Sequence, residues 1–186
     1  PETGRGALSR HMKAQDTPLA SEVQEIMAAG KLISDDVTYR IVRERTSKPD
    51  TAGTYVLDGY PRTAVQAEQL EELAKERGKD IQAIEIDVPK DELVKRLTGR
   101  RTCPVCGEIY NIYSKPPKVE GVCDLHPDAK LTQRADDHED KVRVRLATYE
   151  ELTKPLLDHY ERSGRLIKVD GTGDVERIHS NLVANV

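Results

Sequence analysis

The sequence predicts an α/β fold with a parallel sheet flanked by helices, because short apolar runs alternate with longer segments of helical periodicity. Three runs have the length and residue types of strands, namely residues 54–57, 81–88 and 165–169. Two of these runs end in polar turns, Asp58-Gly59 and Asp170-Gly171. Because ligands bind beyond the carboxyl ends of parallel strands, we expect functional groups near these turns.

The first half of the chain predicts three helices whose ends are marked by particular residues. Pro18 suits the first turn of a helix that Thr17 caps and Gly30 ends. Ser34 is placed to cap a second helix, and a third helix follows Thr63. Each segment carries an apolar stripe at helical spacing, so we expect each helix to bury one face.

The second half predicts three further helices. One begins at Pro89 and leads into the cysteine-containing region. A long helix is predicted over residues 138–163, with a kink or break at Pro155 because proline cannot donate the helical hydrogen bond. A last helix is predicted over residues 175–183.

Composition limits the classes of function. At 186 residues the chain suits one domain, and its 37% of hydrophobic residues and 33% of charged residues predict a modest core. The net charge of -4 argues against a general nucleic-acid or membrane-surface role. No apolar run approaches the ~18 residues of a membrane-spanning helix. We therefore expect neither nucleic acid nor a membrane as a partner.

All three cysteines lie within residues 99–137, which also contain a histidine at ligand spacing. The candidate ligands are Cys103, Cys106, Cys123 and His126. Two pairs, each separated by two residues, are typical of a tetrahedral structural Zn²⁺ site. Asp124 competes for the fourth position, because carboxylate oxygen also binds zinc, and the plainer alternative is three thiols near a surface histidine. Such spacing fits a reducing compartment better than a disulfide scaffold.

The stretch from Asp58 to Thr63, with Gln66 shortly after it, follows a predicted strand and contains side chains of the kind that contact phosphates and bases. Gly59 lets the backbone approach a ligand, and a cis bond at Pro61 would direct Arg62 toward it. Arg62 offers a planar donor fork to a phosphate, and Gln66 offers an amide to a base edge. Taken alone, the hexapeptide is equally compatible with a strand-end turn that carries a solvated arginine.

Together, these motifs resemble the adenylate kinase family, in its bacterial long-lid type with a zinc-bearing lid. The resemblance rests on the turn after the first predicted strand, the cysteine pairs, and four further stretches: residues 99–101, 116–121, 133–137 and 142–146. It implies a P-loop-kinase-like sheet with three regions. These are an AMP-binding segment at 4–33, a core at 34–98 and 138–186, and a lid at 99–137.

The resemblance also implies roles for individual residues. The implied AMP-binding residues are Arg5, Arg10, Lys31, Leu32, Ile33, Gly59, Tyr60, Pro61, Arg62, Gln66, Arg134 and Arg145. The implied ATP-binding residues are Arg96, Arg100, Ile109, Tyr110 and Gly173. The implied catalytic residues are Arg62, Arg100, Arg134 and Arg145, and zinc falls on Cys103, Cys106, Cys123 and His126. The implied reaction is ATP + AMP = 2 ADP with Mg²⁺, in a cytoplasmic monomer.

Two departures from the family pattern qualify this interpretation. The sequence contains no G-x-x-x-x-G-K-[ST] phosphate loop, which in the family precedes the stretch where this chain starts. We therefore expect the family's first strand and helix to be absent, and the chain to transfer phosphate slowly. Gapless spacing from Arg10 also places Arg5 where the family has threonine. The alternatives are a kinase acting on UMP or CMP, and a catalytically inactive nucleotide-binding zinc protein.

Overall fold

The computed structural model describes residues 17–28 and 33–185. The chain divides into two compact units, of which the first comprises Pro1–Gln82 and Leu152–Arg165 and the second Ala83–Glu151 and Leu166–Val186. In the described residues the helices are α1 (Pro18–Ala28), α2 (Asp35–Arg45), α3 (Ala64–Glu76), α4 (Lys90–Thr98), α5 (Glu139–Thr148), α6 (Lys154–Arg162) and α7 (Val175–Asn185). The strands are β1 (Ala83–Asp87), β2 (Arg100–Thr102), β3 (Ile109–Asn111) and β4 (Leu166–Asp170).

The first unit is built around a helical core. Helix α2 begins at Ser34, whose hydroxyl accepts a hydrogen bond from the Val37 backbone N–H at 3.3 Å, as the capping prediction required. The buried side chains that form this core come from α1, α2, α3 and the turn before α3: Leu19, Ala20, Val23, Val37, Ile41, Val42, Tyr60, Leu70 and Leu73. They sit at helical spacing, so the predicted apolar stripes are the faces that meet.

The second unit contains the parallel sheet. Strand β1 pairs with β4 in parallel register, from Ala83 opposite Leu166 to Asp87 opposite Asp170. Helix α7 packs against β4, and α4 packs against α5. The predicted α/β class and its parallel pairing are therefore confirmed.

The strand predicted over residues 54–57 is wrong. Only Val56 has the geometry of a single β-bridge, and its side chain is 64% exposed. A strand becomes stable when a neighbour pairs with it along its length. Within the described part of the first unit no strand provides such a ladder, so four residues with strand propensity do not form one.

The long helix predicted over residues 138–163 is interrupted, as Pro155 suggested. Helix α5 ends at Thr148, a π-helical turn spans Tyr149–Thr153, and α6 continues with Pro155 in its first turn. Proline fits there because first-turn N–H groups have no helical partner. No helix in the described ranges is both long enough and apolar enough to cross a membrane.

Candidate functional site

The turn before α3 presents Arg62 above a glycine. The Tyr60–Pro61 peptide bond is cis, and Gly59 has a φ of 68°, in the region that favours glycine. The Nε of Arg62 donates to the Gly59 carbonyl at 2.8 Å. A Cβ at position 59 would lie 2.6 Å from Nη2 of Arg62, so the guanidinium rests where a larger residue would displace it.

Gln66 lies in the first turn of α3 and is buried. Its Oε1 accepts from the Arg62 backbone N–H at 2.8 Å, and its Nε2 donates to Asp35 at 2.7 Å. The hydroxyl of Tyr60 donates to the Gln66 carbonyl at 3.3 Å, and burial raises the pKa of that tyrosine. The two predicted AMP-contacting side chains, Arg62 and Gln66, are therefore neighbours in one hydrogen-bonded turn.

The four predicted metal ligands form one cluster. Their ligand atoms all lie within 4.8 Å of one another. Sγ of Cys106 lies 3.8 Å from Sγ of Cys123, which in turn lies 3.9 Å from Nδ1 of His126. Tetrahedral Zn–S bonds of about 2.3 Å would place two sulfurs about 3.8 Å apart. The donor set and its spacing are therefore compatible with a zinc ion.

The alternative ligand, Asp124, is engaged elsewhere. Its Oδ1 accepts from the Lys118 backbone N–H at 2.8 Å, and it does not belong to the ligand cluster. Burial opposes the charged form of Cys123, but hydrogen bonds from Tyr110 and His126 outweigh that effect and lower the pKa of the thiol to about 6. A thiol that ionises readily suits metal ligation, and the geometry favours His126 over Asp124.

Strands β2 and β3 form an antiparallel hairpin that carries the cluster, an element that sequence periodicity did not reveal. Tyr110 on β3 is 3% exposed, and its hydroxyl lies 3.6 Å from Sγ of Cys123. That hydroxyl also accepts from the Asp124 backbone N–H at 2.9 Å. The side chain of Tyr110 thus faces the cysteine cluster, whereas that of Ile109 is largely exposed.

A buried ion pair joins the two ends of the 99–137 region. Arg100 donates to Asp137 through Nε at 2.8 Å and through Nη2 at 2.5 Å, and Asp137 is fully buried. The hydrogen bond to Asp137 raises the pKa of Arg100. Gln133 adds hydrogen bonds to the carbonyls of Thr98 and Asp137 at 3.0 and 3.1 Å. Arg100 was predicted as a functional residue, but its partner was not, although the consecutive carboxylates Asp136 and Asp137 end this region.

The other two predicted catalytic arginines of the second unit lie near the same short turn. Arg134 precedes the 3₁₀ turn Ala135–Asp137 and is exposed. Arg145 on α5 reaches Asp136 at 3.4 Å. Arg100, Arg134 and Arg145 are thus brought together around residues 135–137.

The other predicted residues have separate positions. Arg96 forms an ion pair with Glu92 one turn earlier in α4, and Gly173 has a φ of 96° in the turn before α7. Ile33 packs against the core of the first unit. Four predicted residues lie outside the described ranges: Arg5, Arg10, Lys31 and Leu32.

Comparison with known proteins identifies the family. The family model described as adenylate kinase matches residues 2–165. Adenylate kinase from Nitrosococcus oceani is 44% identical over 98% of this chain and 84% of the relative. The enzymes from Thermodesulfovibrio yellowstonii and Bacillus subtilis are each 43% identical, over 99% and 98% of this chain and 86% and 84% of the relatives. Because the family model covers most of the chain and these relatives match nearly its whole length, this chain belongs to the adenylate kinase family.

Proposed function

We propose that this chain transfers a phosphoryl group reversibly from ATP to AMP, giving two ADP. The observation that carries the proposal is the Arg62 guanidinium held over Gly59 beside the buried Gln66 amide. A planar donor fork recognises a phosphate, and an amide recognises the edge of a base. These are the two chemical features that AMP presents to a binding site.

On the AMP side, each group has a defined task in this proposal. Arg62 binds the phosphate, Gly59 allows close approach of the backbone, and Gln66 reads adenine. The further AMP contacts proposed are Arg5, Arg10, Lys31, Leu32, Ile33, Tyr60, Pro61, Arg134 and Arg145. Support for the turn residues comes from their shared hydrogen bonds, which hold the donors in place before the ligand arrives.

In this proposal, four arginines neutralise charge during transfer. The attacking AMP phosphate is already anionic, so the reaction needs positioning and charge neutralisation more than a strong general base. We assign these tasks to Arg62, Arg100, Arg134 and Arg145. Mg²⁺ bound with ATP supplies further neutralisation of the phosphates, as adenylate kinases use it. Closure of residues 99–137 over the nucleotides would exclude water, so that phosphate passes to AMP.

The proposed ATP contacts lie at the ends of elements in the second unit. Arg96 and Arg100 flank Gly99, which is buried. Ile109 offers an exposed apolar side chain to the adenine ring, and Tyr110 contributes backbone because its side chain is buried. Gly173 has no Cβ and adopts a positive φ, so its backbone is open to the close contact with a base that this role requires.

The lid is proposed to hold one structural Zn²⁺ through Cys103, Cys106, Cys123 and His126. The ion would supply a cross-link to a region with a small core of its own, centred on two cysteines and Tyr110. We expect one Zn²⁺ per purified chain. His126→Ala should reduce zinc retention by at least ~tenfold, whereas Asp124→Ala should not, in metal analysis after dialysis. The reverse pattern would make Asp124 the ligand.

Acceptor preference tests the proposed reaction. Rates of ADP formation from ATP are compared with AMP, UMP and CMP in the zinc-loaded chain, and their ratio is independent of the absolute rate. AMP should react at least ~tenfold faster, because a site built to pair with a base edge rejects mismatched bases. Equal or faster transfer to UMP or CMP would indicate a different nucleoside monophosphate kinase. AMP binding without transfer to any acceptor would indicate a nucleotide-binding protein without activity.

A further inference from the structure

Asp35 forms a closed network with Thr63 and Gln66. Its Oδ1 accepts from Nε2 of Gln66 at 2.7 Å, and its Oδ2 accepts from the Thr63 hydroxyl at 2.9 Å. The same hydroxyl accepts from the Gln66 backbone N–H at 3.2 Å. Asp35 is the first residue of α2, where a carboxylate is favoured by the helix dipole. Both carboxylate oxygens are therefore used to connect α2 to the start of α3.

This network fixes the orientation of the Gln66 amide. A carboxylate only accepts hydrogen bonds, so the NH₂ group of Gln66 must face Asp35. The Arg62 backbone N–H only donates, so the oxygen of the amide must face Arg62. If the oxygen and nitrogen of the amide were exchanged, the amide oxygen would face the carboxylate of Asp35, which also only accepts, and the amide NH₂ would face the backbone N–H of Arg62, which also only donates. In a side chain that is 7% exposed, water cannot easily relieve those mismatches.

The fixed amide retains one donor and one acceptor for a ligand. An amide has two N–H groups and two carbonyl lone pairs, and the network uses one of each. The Watson–Crick edge of adenine offers an amino donor and the N1 acceptor, which match the remaining pair. A 6-oxopurine offers an oxygen acceptor and an N1–H donor, so it requires the amide in the opposite orientation.

We propose that Asp35 is the positioning residue that makes the Gln66 amide selective for a 6-aminopurine over a 6-oxopurine. Asp35 does not contact the base itself; it acts by preventing the amide from turning over. The inference rests on the proposed function, because it takes Gln66 as the residue that reads the base. It adds the residue that decides which base the amide accepts.

The test compares the dissociation constants of AMP and IMP, which differ at position 6 and N1 of the base, by calorimetry on the zinc-loaded chain. The parent should prefer AMP by at least ~100-fold. Asp35→Ala should lower that ratio at least ~tenfold, because the amide loses the acceptor that holds its NH₂ group. Asp35→Asn keeps an acceptor oxygen in place and should remain within ~threefold of the parent.

The neighbouring acid provides the matched control. Asp36 lies on the same turn of α2 and is exposed, so Asp36→Ala removes the same charge and should leave the ratio within ~twofold of the parent. If Asp35→Ala does not fold, Asp35→Ser is measured instead, since serine suits the start of a helix but is too short to reach Gln66. A thermal unfolding scan of each variant verifies folding before titration.

Failure of this inference and failure of the proposed function give different results. A ratio that falls in Gln66→Ala but not in folded Asp35→Ala, or in Asp35→Ser where it replaces Asp35→Ala, would overturn the positioning role alone. A ratio lowered equally by Asp36→Ala would also overturn it, because charge and not contact would then be responsible. A parent without preference for AMP, or a Gln66→Ala variant with unchanged preference, would overturn the base-reading role on which the inference depends.

Discussion

Removal of Asp137 should destabilise the second unit strongly. Its carboxylate is fully buried and receives two hydrogen bonds from Arg100, whose side chain is 23% exposed. Breaking a buried ion pair by deleting one partner costs about 3–5 kcal/mol, because the remaining charge is left without compensation. The partial exposure of Arg100 lets water hydrate it, so we expect about 3 kcal/mol for Asp137→Ala, at the lower end of that range.

The preceding residue is the matched control for this variant. Asp136 is 60% exposed and reaches Arg145 only at 3.4 Å, so Asp136→Ala should cost less than about 0.5 kcal/mol. Hydrogen exchange of the backbone amides in β2 and β3 measures the opening free energy of this part of the chain alone. Replacing both partners, as in Arg100→Met with Asp137→Leu, should recover at least about 1.5 kcal/mol relative to Asp137→Ala. Equal losses for Asp136→Ala and Asp137→Ala would refute the reasoning.

Two further predictions concern the stability of the first unit. Hydrogen bonding to Arg165 lowers the pKa of Glu71 from its ordinary value of 4.5, so the stabilisation is present above that pH and is lost as pH falls through the lowered value. Glu71→Gln should therefore lower the free energy of unfolding by about 1 kcal/mol at pH 7 and leave it unchanged at low pH, whereas Glu72→Gln should change it little at either pH. Urea unfolding at several pH values measures this. A loss for Glu71→Gln that does not depend on pH would contradict the prediction. Leu73 is 1% exposed, so Leu73→Ala should lower the free energy of unfolding by about 2–5 kcal/mol. Leu152 is 44% exposed, so Leu152→Ala should lower it by less than about 1 kcal/mol. Similar losses for the two variants would contradict the position of the core.

The features that the sequence predicted correctly are set by residues close to one another in the chain. The cap at Ser34 and the cluster at Cys103 and Cys106 follow from spacings of a few residues, which set the backbone geometry directly. The paired strands β1 and β4 were predicted from their own apolar content, although they lie far apart in sequence. Each of these features can be recognised from the residue types of one short segment, without knowledge of a distant partner.

Two interactions that the sequence did not reveal depend on distant partners. Arg100 and Asp137 are 37 positions apart, and Asp35 and Gln66 are 31 positions apart. A carboxylate and a donor at such separations have no periodic signal, because the fold alone brings them together. The same reason explains the error at residues 54–57, where strand propensity was present but the described residues contain no strand that pairs with them along their length.

The binding of AMP through Arg62 is the central claim, and one titration tests it most directly. AMP is titrated calorimetrically into the zinc-loaded parent and into Arg62→Lys, with Arg162→Lys, an exposed arginine of the same unit, as the control. Lysine retains the charge but cannot reproduce a bidentate fork, so Arg62→Lys should bind AMP at least ~tenfold more weakly, and Arg162→Lys should equal the parent. An AMP affinity that Arg62→Lys leaves unchanged would contradict the account. A parent that binds UMP or CMP as tightly as AMP would also contradict it.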